Sequence, residues 1–182
     1  MKKILFILVI CFVITKSFAS NKENIIQNLI SIDNITFNFE QNINGKIENG
    51  TCTIAYPKKI FCKYNLKNQK ILVSNGKVLV IKTINGFYQY PLNKTPLNFI
   101  LNKEYLINKM NTIEESIVNK SFINFKFIEN DSEIIIFFDK KTHNLIGWQT
   151  LDIYQNLSTT YLSSIVKNNK INKEIFKIPN RN

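Results

Sequence analysis

At 182 residues the chain is long enough to bury one core and short for two domains. Its 24 basic residues face 13 acidic ones, a net charge of +11 that favours anionic partners, yet the lysines are scattered, without Arg-rich runs or spaced stacking aromatics, so no nucleic-acid partner is expected. Three cysteines and one histidine give no zinc-ligand spacing.

Taken in chain order, Lys2 and Lys3 precede an apolar run over residues 4–15, and Ser17-Phe18-Ala19 is a small-x-small site. This is the pattern of a secretory signal peptide cut after Ala19. A membrane anchor needs about 18 apolar residues, and Lys16 stops this run first. Residues 20–182 are expected as one exported domain, with 21 basic and 13 acidic residues once Lys2, Lys3 and Lys16 are set aside.

Residues 24–32 carry Ile25, Ile26, Leu29 and Ile30 at helical spacing and read as a short amphipathic helix. Ile35, Phe37 and Phe39 alternate with polar residues, a half-buried strand. Asn44-Gly45 and Asn49-Gly50 read as turns around a short middle piece. Residues 51–56 and 60–64 form a hairpin turning at Pro57, which sets Cys52 nearly opposite Cys62 and permits a disulfide in an oxidising compartment without requiring one.

The hairpin that organises the rest follows. Two apolar, β-branched runs, residues 71–74 and 78–81, flank Asn75-Gly76, the signature of a type I′ turn with both central residues at positive φ. Both runs are apolar on consecutive positions, so both faces need cover: an ordinary core on one, and a helix, second sheet or apolar ligand on the other.

A further strand at residues 87–90 ends at Pro91, and Thr95-Pro96 reads as N-cap and first position of a short apolar helix holding Leu97, Phe99, Ile100 and Leu101. Residues 104–110 add a helical or extended piece, and Glu114-Glu115 a solvated connection. Beyond residue 121 the pattern is strand after strand, including residues 123–127, 134–138, 145–154, 159–166 and 171–178. The fold class is therefore mainly β with short helices (α+β): one antiparallel, strongly curved sheet of about 10 or 11 strands in meander order, an unclosed barrel under a helical lid.

No chemistry-bearing motif is present. His143, the single histidine, sits in a polar turn with no nucleophile or orienting carboxylate nearby, so no catalytic residue is assigned, and no metal or cofactor is expected. The excess lies in apolar residues, 45% of the chain with 12% aromatic. A curved apolar face under short helices predicts a ligand cavity.

Several stretches, in register over most of the chain, resemble the periplasmic outer-membrane lipoprotein carrier (LolA) family. Phe39-Glu40-Gln41 resembles its F-x-Q, and Tyr56-Pro57-Lys58-Lys59-Ile60 with Tyr64 its R-P-G-K-F-R-W-E-Y hairpin. Residues 72–79 resemble its L-I-V-S-D-G-K-x-L-W segment. Pro91-Leu92 with Lys94-Thr95-Pro96, Trp148, Asp152 and Phe176-Lys177-Ile178-Pro179 are similar to its lid approach and late strands.

The resemblance implies a monomeric periplasmic carrier. It would accept acylated lipoproteins from an inner-membrane ABC-type releasing complex, shield their acyl chains, and pass them to an outer-membrane acceptor. The residues expected at the cavity and lid are Phe39, Phe61, Leu72, Leu79, Leu97, Phe99, Ile100, Leu101 and Trp148. Tyr56 stands before Pro57 where the family has the arginine that latches its lid, and a phenol donates one hydrogen bond and carries no charge. Cys62 and Val80 stand where the family has tryptophans. Competing readings are a related half-barrel that binds lipid or glycolipid or senses lipoproteins, and, less favoured, a periplasmic hydrolase.

Overall fold

The computed structural model describes residues 20–118, 121–151 and 155–181. The expected signal peptide and Asp152 lie outside these residues.

Helix α1 (Asn21–Ile30) starts ahead of its apolar stripe because Ser20 and Glu23 form a reciprocal capping box, and it buries Ile25 and Leu29. Six strands follow: β1 (Asn34–Ile43), β2 (Lys46–Ala55), β3 (Lys59–Tyr64), β4 (Ile71–Asn75), β5 (Val78–Lys82) and β6 (Phe87–Pro91). Helices α2 (Leu97–Ile100) and α3 (Lys103–Thr112) come next, then β7 (Ser116–Val118), β8 (Phe122–Glu129), β9 (Ser132–Asp139), β10 (Leu145–Leu151) and β11 (Leu157–Lys167).

All eleven strands form one antiparallel sheet in the order β6-β5-β4-β3-β2-β1-β11-β10-β9-β8-β7. Two meanders are joined by β1 pairing with β11, Phe39 opposite Leu162, so the order is not a plain meander. The edges, β6 and β7, stay unpaired with each other, and the barrel is not closed. Between those two edges in the chain come α2 and α3, so the one long connection runs where the barrel is open. The alternating burial of β1 (Ile35, Phe37 and Phe39 inward) puts the core between the concave face and the helices, where Ile25, Leu29, Ile100, Leu101, Leu106 and Met110 meet it.

Four local expectations are corrected. Asn49-Gly50 is not a turn: β2 runs straight through it, because Gly50 is where the Phe39 ring crosses the sheet, and a Cβ there would lie 2.9 Å from that ring and collide with the Lys63 carbonyl. The β4–β5 turn is not type I′. Only Gly76 has positive φ, +98°, while the Asn75 side chain accepts from the N–H groups of Lys77 and Val78 and shapes the turn instead. Thr95 does not cap α2; its hydroxyl donates to the Leu92 carbonyl at 2.9 Å. Residues 171–178 are not a strand but a 3₁₀ turn, Lys173–Phe176, capped by Asn172 and packed across β3 and β4.

That turn supplies the missing second cover. Val73 and Val80, opposite each other in register, are 1% and 0% exposed yet lie outside the main core, and Phe176 is buried with them on the outer face. Phe61, opposite Val73, shares that outer face.

Candidate functional site: an apolar cavity beneath the lid

The helices fill only part of the trough. α1 lies against the β9–β10 turn, where Asn28 donates to the His143 carbonyl, and toward the Asn44–Gly45 end part of the concave face stays open as a cavity of about 180 Å³. Its deep wall is Phe39, Cys52, Ile60, Leu72, Leu79, Ile81 and Trp148, with Pro96 and Leu97 of the lid closing one side. Cys52 and Cys62 are bonded as a disulfide on this face, set opposite each other by the β2–β3 register.

Of the expected site residues, Phe39, Leu72, Leu79, Leu97 and Trp148 come together on the wall. Phe61 does not: Ile60, Cys62 and Tyr64 take the concave positions of β3, so the pleat turns Phe61 outward. Ile100 and Leu101 are fully buried as the lid's underside in the core, and Phe99 lines a separate, more polar depression with Tyr90 and Glu129.

The mouth is polar, and sequence reasoning missed it. Ile43, Leu151, Ser158 and Lys70 lie at the same end of the barrel, because Ile43 pairs with Ser158 and Leu151 with Leu157, while Tyr64 N–H bonds to the Lys70 carbonyl. Here Glu48 points inward, its side chain 3% exposed, held by Lys46 at 2.7 Å and Lys70 at 2.5 Å. Burial pushes its carboxyl up, but the hydrogen bonds from the two ammonium groups outweigh that and hold it below the ordinary range. Lys70 also sits 4.1 Å over the Tyr64 ring; the Tyr64 hydroxyl donates to Gln41 at 3.1 Å, and the Gln41 amide donates to Ser158 at 2.9 Å. Burial pushes the Tyr64 phenol up, so it remains a donor.

Several bonds tether the lid, among them one from Lys22 to the Ile113 carbonyl at 2.6 Å where α3 ends. Lys58 N–H donates to the Leu101 carbonyl at 2.7 Å, and Ser74 Oγ donates to the Lys58 carbonyl at 3.0 Å, tying α2 to two hairpin turns. Lys103 donates to the Ile32 carbonyl at 2.7 Å and lies 5.8 Å from the Tyr56 ring centroid. On the other flank Glu129 accepts from Tyr105 and, at 2.7 Å, from Lys109. Tyr56, whose peptide to Pro57 is cis, thus contributes its ring to this corner, while a main-chain bond and Lys103 make the polar links. No described helix is long and apolar enough to cross a membrane.

The profile of the family described as outer membrane lipoprotein carrier protein LolA matches residues 31–179. No curated protein matches the sequence significantly. Among solved structures, MucB, which another structure shows in a complex from Pseudomonas aeruginosa, superposes with a TM-score of 0.51 at 10% identity, over 88% of this chain and 64% of MucB. At that identity the likeness is one of fold, and the chain spans less than two thirds of MucB. A LolA superfamily protein of Nitrosomonas europaea gives a TM-score of 0.46 at 8% identity, over 88% of this chain and 99% of that one. The Mycobacterium tuberculosis lipoprotein LppX gives 0.41 at 8%, over 84% and 95%.

Proposed function

The chain belongs to the LolA family of outer membrane lipoprotein carrier proteins, and on that premise we propose that it is an exported, periplasmic carrier that takes lipoprotein acyl chains into the cavity beneath its lid. The observation that carries this reading is a hollow the protein's own side chains leave unfilled, walled by Phe39, Leu72, Leu79, Leu97 and Trp148. Burial of acyl chains is worth about 0.8 kcal/mol per CH₂, so three long chains in water cost on the order of tens of kcal/mol, and a carrier must cover most of that surface.

Size decides the mechanism. A cavity of 180 Å³ is smaller than the roughly 300–1,000 Å³ of pockets for drug-sized ligands, and an acylated lipoprotein is larger still. The described state is therefore the closed one, and loading needs α2 and α3 to swing off the trough. The few polar tethers of the lid suit this, since segments that open are drawn from the least stable parts of a fold. In this reading the donor is an inner-membrane ABC-type complex and the recipient an outer-membrane acceptor.

The purified protein should bind an environment-sensitive hydrophobic dye and release lipoprotein from spheroplasts as a soluble complex. Failure of both would end the carrier reading. A related half-barrel that holds lipid or senses lipoproteins is the second reading; the lipid that co-purifies, read by mass spectrometry, separates the two.

A further inference from the structure

The mouth of the cavity is built for charge, which acyl chains alone do not explain. Lys46 and Lys70 both bond to the single carboxylate of Glu48, so the cluster carries one uncompensated positive charge. Lys46 is 72% exposed and solvated, but the Lys70 side chain is only 16% exposed, lines the cavity, and has three donors of which Glu48 takes one. Glu48 and the Tyr64 ring hold this ammonium in place at the cavity, and the N–H groups that Glu48 does not take are left to meet a further acceptor. A second observation points the same way. Thr160 also lines the cavity, 4% exposed, and its hydroxyl has no hydrogen-bond partner among the described residues. Ser158, beside it on the wall, accepts from Gln41 and keeps its own O–H to donate.

We propose that Lys70, Ser158 and Thr160 form a head-group subsite for an amphiphile with anionic oxygens, whose alkyl tail runs inward past Phe39 and Trp148. This rests on the reading of the cavity as an acyl-chain site and adds the chemistry of the head. From Ile43 to Phe39 the cavity follows about 13 Å of β1, room for a tail lying along the strand. A carboxylate and a phosphate monoester offer the same oxygens, so the structure selects the charge and leaves the source to the experiment.

Trp148, the only tryptophan, lies on the wall and reports binding by its fluorescence. The purified protein is titrated, below micelle-forming concentrations, with dodecanoate, dodecyl phosphate, dodecanol and dodecyltrimethylammonium. Both anions should bind at least tenfold more tightly than dodecanol, and the cation most weakly; the tighter anion names the source. Lys70→Gln should bring the ratio of the dodecanol to dodecanoate dissociation constants close to one, and Lys70→Arg should keep it. The comparison on the unaltered protein stands even if a variant misfolds. Equal binding of dodecanol and both anions overturns the subsite while leaving the acyl-chain cavity intact; binding of none of the four overturns the cavity reading and the subsite with it.

Discussion

At the scale of single residues, Glu129 offers the most direct handle on the lid. Hydrogen bonds from Lys109 and Tyr105 hold its carboxyl below the ordinary range, although burial opposes this. A folded pKa below the unfolded one means the tether is at full strength above the unfolded value and is lost as pH falls through the folded one. Dye uptake should therefore accelerate as the solution is acidified through the carboxylate range, read by stopped-flow fluorescence. Glu129→Gln should show fast uptake already at neutral pH. Glu48 titrates in the same direction, so the difference between the two proteins isolates the lid. Ile81 tests the cavity itself: half-buried on its wall, it can be enlarged, and Ile81→Trp should weaken dye binding about tenfold while the far-UV spectrum is kept. The apolar wall was partly legible, since Phe39, Leu72, Leu79 and Trp148 stand in strands that read clearly. Glu48 and Lys70 were not, because nothing marks one lysine among many as the one whose loop brings it over an inward-facing carboxylate 22 residues away in the chain.

Among the elements, the β2–β3 hairpin carries the strongest local constraint. The Cys52–Cys62 bond closes a short loop, 10 residues apart, between strands already paired. Chain-entropy reasoning assigns about 2–3 kcal/mol to such a closure. Cys52→Ala with Cys62→Ala should lower the urea midpoint by a corresponding amount without changing the slope of the transition. This hairpin was readable because each signal agreed: alternating strands, a proline turn and two cysteines in register. The β4–β5 hairpin was readable as strands but not as a turn, since an asparagine can serve either by adopting positive φ or by accepting from the next N–H groups, and here it does the second. The 3₁₀ turn Lys173–Phe176 escaped for a related reason. Its apolar spacing imitates a strand, and only the uncovered outer face of Val73, Val80 and Phe61 turns Phe176 into an anchor.

For the molecule as a whole, fold class followed from counting strands and noting that no helix separates most of them. What stayed hidden was the seam. Local periodicity cannot say that β1 lies beside β11, with Ile35 opposite Lys167, because the pairing joins segments about 130 residues apart. That seam makes β1 an interior strand only once the last strand has arrived; until then its hydrogen-bonding edge is bare. Bare edges recruit other chains, and pairings this distant in sequence form late. A polypeptide ending before Leu157 should therefore scatter light and pellet where the intact one does not. Threaded through a narrow translocation channel from its amino end, the chain would stay unlocked until nearly all of it had emerged, so the wiring of the sheet itself delays premature folding.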